Sequence, residues 1–276
     1  MALNIGSNTP SYPSTSQLDA SQKTRERLLA ELASGNTTAT DSASQAISQS
    51  LSAQSRGDEQ ALENVNDGIA MTQTAADAVT QIQYNTQQIQ NLAVKAGDGA
   101  LSASDRQALQ HQVDALTQAN SAIVQGSNYN GIPLLGGKAT LIQAGPDGKP
   151  ASQISVNGPD LGNSLNGYDD SLAARGVIDV SSQAAAFQAQ SQIGEDLSTL
   201  NTVNSSLGAA IDAFHSTLSG LQSASINTQA ANSRISDVDY ARQSAALARS
   251  QIANQSALAM RAQANVTPHD ALTLLA

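Results

Sequence analysis

The side chains in this 276-residue sequence that could do acid–base or metal chemistry are few and scattered. His111, His215 and His269 could move a proton or bind a metal, because imidazole titrates near neutrality. They are single, fall on different elements and have no ligand-spaced neighbours. Asp169-Asp170 and Glu195-Asp196 are carboxylate pairs of the kind that can split into an acid and a base. Adjacent residues point apart on a strand and sit about 100° apart on a helix, so neither pair converges on one substrate atom. Gly97-Asp98-Gly99 lacks the helix signature of a phosphate-binding loop and reads as a turn. With no cysteine in the chain, disulfides, thiolate zinc sites and cysteine nucleophiles are excluded. The expectation is no catalytic residue, no cofactor, no metal and no enzyme.

Charge narrows the partners. The net charge is -10, and basic residues occur singly or as near pairs such as Arg25 and Arg27, which argues against nucleic acid and anionic membranes. No apolar run is long enough to span a bilayer. Met1–Ile5 shows neither the basic nor the apolar region of a cleavable secretory signal. That pattern predicts a soluble protein and leaves export by a signal-peptide-free route open.

The elements that position these residues must be helical. Aromatics make up 3% of the chain, Trp is absent, and Phe187 and Phe214 are the only phenylalanines. Alanine among Gln, Ser, Asn and Thr suits long helices packed along narrow seams better than a thick globular core. Residues 1–13 read as extended, because Pro10 and Pro13 oppose a helix there. Ser14 or Ser16 is placed to cap a first helix carrying Leu18, Leu28, Leu29 and Leu32. After a break at 34–38 and a weakly patterned stretch to about Ser55, a long helix is predicted from Gly57 to Val94. Its expected seam is Leu62, Val65, Ile69, Thr72, Ala76 and Val79, continuing after one slip through Ile82, Thr86, Ile89 and Ala93. Gly97-Asp98-Gly99 ends it. Ser104-Asp105-Arg106-Gln107 resembles a capping box opening an antiparallel return helix. Thr140–Gln143 and Gln153–Val156 flank Gly145-Pro146-Asp147-Gly148, predicting a β-hairpin over 139–157. Leu207, Ile211, Phe214, Leu218 and Leu221 resume the helical seam. A weaker pattern through Ile235, Leu247, Ile252, Leu258 and Leu272 predicts one long helix to the end. The fold class is therefore mainly α: a long antiparallel helical bundle or coiled coil formed by both chain ends, with a small β-hairpin tip in the middle. An apolar-patterned helix running to within a few residues of Ala276 wants a partner, either the other end of the chain or a second copy.

Several segments, in order, resemble bacterial flagellin. They are Asn64-Val65-Asn66-Asp67-Gly68-Ile69 with Ala70–Thr74; Tyr129-Asn130-Gly131 followed by Leu134-Leu135-Gly136; Ala231–Tyr240; and the last 30 residues. The resemblance covers roughly residues 25–136 and 200–276. It implies a structural subunit that polymerises into the bacterial flagellar filament for motility, with a hook–filament junction protein or a surface-displayed, polysaccharide-binding homologue as alternatives. It implies an inner filament helix and connector over 1–44, helical core segments over 45–136 and 177–232, a variable β-hairpin and loop region over 137–176, and a C-terminal inner helix over 233–276. It further implies self-assembly, alone or with other flagellins, secretion through the flagellar type III route to the extracellular filament, and contact with the export apparatus, a flagellin chaperone, and hook-associated and cap proteins. The assembly interface expected from it is Leu28, Leu32, Ile235, Ile252, Leu258, Leu272, Leu274 and Leu275.

Near its two ends the sequence departs from the family in three places. Asn36–Ser42 replaces a charged segment, Pro10 and Pro13 shorten the first helix, and Arg261 stands where an apolar residue is usual. Thr86–Ala93 is similar to the patch recognised by the flagellin-sensing Toll-like receptor. There Gln88 and Gln90 replace arginines and Leu92 is retained, while Gln112 on the neighbouring helix replaces a glutamate. The resemblance therefore implies an altered receptor patch and weak recognition.

Overall fold

The structure is a computed structural model describing residues 15–37, 42–168 and 178–273. Six helices and two small antiparallel strand pairs make up the described residues. The helices are α1 (Thr15–Ser34), α2 (Ser42–Ala96), α3 (Ala103–Gly126), α4 (Leu161–Ser164), α5 (Gln183–Ser236) and α6 (Tyr240–Thr273). The strands are β1 (Asn128–Tyr129), β2 (Ile132–Pro133), β3 (Ala139–Gln143) and β4 (Gln153–Asn157). The chain divides into two compact units, one within Gln54–Ile226 and the other within Met1–Ala53 and Asn227–Ala276.

In the Gln54–Ile226 unit, α2 and α5 run antiparallel. Gly68 lies beside the Phe214 ring. Gln83 Nε2 donates to Asn201 Oδ1 at 2.6 Å, and Gln190 Nε2 donates to the Ala93 carbonyl at 3.3 Å. The buried residues of α2 include Ala61, Val65, Gly68, Thr72, Ala75, Val79, Ile82, Thr86, Ile89, Ala93 and Ala96. These fall at strictly alternating four- and three-residue steps, which is a heptad seam. The expected slip in register is absent. Leu62 and Ala76 flank the seam, and its inner positions are held by Ala61, Gly68 and Ala75 instead. Helix α5 answers with buried residues every seventh position: Ala186, Ile193, Leu200, Leu207, Phe214 and Leu221. A sustained heptad repeat implies left-handed supercoiling of this pair.

The α2 start differs from expectation. The helix begins at Ser42 rather than near Gly57, because Ser42–Arg56 contains neither glycine nor proline and its Ala, Gln and Leu residues favour helix. Helix α3 packs back along α2 as predicted. Its capping box, however, is Ser102 with Asp105, two residues before the expected one: Ser102 Oγ accepts from Asp105 N, and Asp105 Oδ2 accepts from Ser102 N. Arg106 then fastens the α2–α3 loop by donating to the carbonyls of Ala96, Leu101 and Asp98 at 2.9, 2.9 and 2.6 Å.

The hairpin over 139–157 forms with Thr140 opposite Val156 and Ile142 opposite Ile154. Its turn carries a short 3₁₀ helix, Pro150–Ser152. Pro146 seats over Gly57, where any Cβ would lie 2.7 Å from Pro146 Cβ, and Asn64 Nδ2 donates to the Gln143 carbonyl at 3.0 Å. A second, smaller hairpin pairs β1 with β2 across Asn130-Gly131, both at positive φ (49° and 80°). This is the backbone that an Asn-Gly two-residue turn favours.

The other unit corrects the expected unbroken C-terminal helix. Helix α5 stops at Ser236 and α6 starts at Tyr240. Between them the chain bridges back to the end of α1. Asn36 pairs with Asp237, Thr37 N donates to the Ser236 carbonyl at 2.8 Å, and Val238 N donates to Gly35 O at 3.1 Å. Gly35, at φ 68°, lets α1 turn into this clasp. Asp239 Oδ1 accepts from Arg242 N at 3.0 Å and caps α6. Pro10, Pro13, Ser14, Asp169-Asp170, Leu274 and Leu275 lie outside the described residues.

Candidate functional site

The residues first tested for chemistry do not converge. His111 is exposed on α3 and His215 on α5, while His269 lies in α6 beyond the described side chains. Among the described residues no group of three or more His, Asp or Glu could hold a metal ion. Nor is any described helix long and apolar enough to cross a membrane. Glu195 is exposed and its neighbour Asp196 is 2% exposed, as the helical spacing predicts. Asp196 anchors a loop: its Oδ1 accepts from Asn166 N (2.8 Å) and Nδ2 (2.9 Å), and its Oδ2 accepts from Gly167 N (2.8 Å). Burial raises the Asp196 pKa, and the hydrogen bonds from Asn166 and Gly167 oppose that rise without overcoming it. Its position is that of a structural latch beside the loop.

The chain ends supply a different kind of site. Helix α1 packs against α6. Tyr240 Oη donates to the Leu32 carbonyl at 2.7 Å, the Gln243 amide donates to Glu31, and Arg27 approaches Glu31 at 3.7 Å. Of the eight residues expected at the assembly interface, Leu28 is buried within the chain, and Leu32 and Ile235 are half-buried. Ile252 and Leu258 are exposed, at 63% and 55%. Leu272 belongs to α6 past the described side chains. The expected set left out two further exposed apolar residues, Met260, 60% exposed on the same helix, and Leu29, 47% exposed on α1 and read in the sequence only as part of the first helix. Their signal was present: both are large apolar residues one or two positions from residues chosen for the seam.

A third feature lies on the helical unit. Gln88, Asn91 and Leu92 of α2 and Gln112, Ala115 and Leu116 of α3 line one open groove of about 460 Å³. The fold thus brings Gln112 beside Gln88 and Leu92, which precede it by 24 and 20 positions in sequence. Gln90 is half-buried and does not line the groove.

Residues 5–140 match the bacterial flagellin N-terminal helical region, and residues 190–275 match the bacterial flagellin C-terminal helical region. The chain belongs to the bacterial flagellin family. It is 30% identical to the flagellin of Bacillus subtilis (strain 168) over 303 aligned residues, covering 99% of this chain and 100% of that one. The flagellar filament 33 kDa core protein of Treponema phagedenis is 31% identical over 264 residues, 92% of each chain. The crystal structure of Bacillus cereus flagellin shares the fold, with a TM-score of 0.51 at 17% identity over 58% of this chain and 88% of that one. Flagellins are structural proteins, not enzymes, and this chain is a subunit that self-polymerises into the extracellular flagellar filament. The matched names favour the filament subunit over the junction and polysaccharide-binding alternatives.

Proposed function

We propose that the apolar residues of α6 left uncovered in the single chain are the surface through which subunits join. The carrying observation is their distribution. At about 100° per residue, Leu258 and Met260 point roughly 160° apart, and Ile252 falls between them on one side. A helix with apolar side chains on several faces is a buried helix, yet in one chain α1 is the helix packed along α6. Neighbouring subunits supply the missing cover. Leu272, Leu274 and Leu275 belong to the same proposed set on the strength of their apolar sequence pattern. Leu28, Leu32 and Ile235 act from within, by holding α1 and the clasp against the last helix. Head-to-tail contacts of this kind that do not close on themselves generate a helical filament.

On this reading residues 1–44 and 233–276 supply the inner filament layer, 45–136 and 177–232 the layer around it, and 137–176 the tip. The chain leaves the cell through the flagellar type III route, escorted by a flagellin chaperone, and meets hook-associated and cap proteins at the filament ends. Deleting residues 246–276 tests the assembly assignment: the shortened chain stays a soluble helical monomer. Filaments of the deleted chain under the electron microscope would overturn it.

A second reading concerns the α2–α3 groove, because Gln88, Leu92 and Gln112 share it. The flagellin-sensing Toll-like receptor recognises this chain weakly, since neutral amides stand where a basic fork and a carboxylate would give charge-assisted hydrogen bonds.

A further inference from the structure

We infer that Asn130 is a site of spontaneous deamidation and that the fold protects the other two Asn-Gly pairs, Asn157-Gly158 and Asn166-Gly167. In an Asn-Gly pair the glycine backbone nitrogen, unhindered by a Cβ, attacks the asparagine Cγ. The new Cγ–N bond closes a five-membered succinimide as the Cγ–Nδ2 bond breaks and ammonia leaves. Water then opens either carbonyl, giving aspartate or isoaspartate. One ammonia is lost, one water is added, and no oxidant or reductant takes part. The reaction needs the glycine N–H released and the asparagine free to rotate its amide onto it.

The three sites differ in both requirements. At Asn166, the side-chain amide and the backbone N–H both donate to Asp196, and the attacking Gly167 nitrogen is itself bound to Asp196 Oδ2 at 2.8 Å and buried. At Asn157, the Gly158 nitrogen donates to the Lys138 carbonyl at 3.2 Å, the side chain accepts from Ser155 Oγ at 2.9 Å, and the residue closes a five-pair strand ladder. Asn130 has none of these restraints. It is exposed, no described hydrogen bond involves its amide or the Gly131 N–H, and a Cβ placed on Gly131 would meet nothing within 4 Å. Its hairpin is two residue pairs long, the kind of element that opens at low cost. Conversion places a carboxylate at the turn. The isoaspartate form adds a methylene to the main chain just before the buried Leu134 and Leu135, loosening the β1–β2 turn as the exported subunit ages.

The test is peptide mapping by mass spectrometry of the full chain held at mildly alkaline pH, natively and in guanidinium chloride. In the native protein the +1 Da product at Asn130 accumulates about tenfold faster than at Asn157 or Asn166. In denaturant the three rates converge, because all are Asn-Gly. Equal native rates at the three sites, or the same ranking in denaturant as in the fold, would overturn the inference.

Discussion

Gly68 and Phe214 occupy facing positions on α2 and α5, so close that a Cβ on Gly68 would lie 2.6 Å from Phe214 Cζ and 2.7 Å from Cε1. The one aromatic ring fully buried in this seam fits only because the opposing helix has no side chain there. Gly68→Ala gains about 1 kcal/mol of helix propensity. It loses more, because overpacking a closed core costs about 1–3 kcal/mol. The expected result is a lower denaturation midpoint. Gly208→Ala on α5, where a Cβ meets nothing within 4 Å, stabilises the chain by up to about 1 kcal/mol and so raises the midpoint. The opposite order would show that Phe214 moves aside.

Asp58 sets a pH dependence. It is 1% exposed on α2 next to the Gly57–Pro146 contact, and its Oδ2 finds no hydrogen-bond partner among the described residues. Desolvation raises its pKa above the ordinary 3.8. Below that value both folded and unfolded chains carry the proton, and Asp58 costs nothing. As pH rises through the ordinary value and then the raised one, the unfolded chain releases its proton first, so stability falls and then levels. Asp58→Asn removes the charge. Its stability advantage over the parent chain grows as pH rises through the ordinary carboxylate value and levels once the raised value is passed, read as the difference between urea unfolding curves. A constant difference across that range would place the carboxylate in water.

If the receptor reads the α2–α3 groove as proposed, Gln88 and Gln112 set its potency. Charge-assisted hydrogen bonds lost at both positions cost about 1.5–3 kcal/mol each, roughly two orders of magnitude or more in affinity if the losses add. Monomer carrying Gln88→Arg with Gln112→Glu activates reporter cells bearing the flagellin-sensing receptor at correspondingly lower dose. Equal potency of the parent chain and the double variant would show that the receptor relies on other contacts.

Much of this fold was legible in the sequence because its signals are local. Gly145-Pro146-Asp147-Gly148 between two β-branched runs specified the hairpin, and Gly97-Asp98-Gly99 before Leu109 and Val113 specified the α2–α3 return. The α2 seam was misread because Ala61, Gly68 and Ala75 contribute almost no hydropathy. Larger neighbours at Leu62 and Ile69, with Ala76 in step behind them, drew the pattern one residue aside and created a false slip. A strict seven-residue count from Val65 would have recovered it. The stop between α5 and α6 was missed although Asp239 is a good cap, because the partner that makes the break stable, Gly35–Thr37, lies some 200 residues away. The functional residues divide for the same reason. Apolar spacing marks a residue as wanting burial, but it does not say whether the cover is the same chain, as for Leu28, or another, as argued for Ile252 and Leu258.

The central claim is that uncovered apolar residues of α6 join one subunit to the next, and the direct measurement is salt-induced polymerisation of the purified full chain followed by negative-stain electron microscopy. The parent chain forms long helical filaments. The Ile252→Asp, Leu258→Asp double variant remains monomeric while keeping the parent's far-ultraviolet circular dichroism, since both side chains are exposed in the single chain and their replacement leaves its fold intact. Filaments of normal length and number from the double variant would contradict the account.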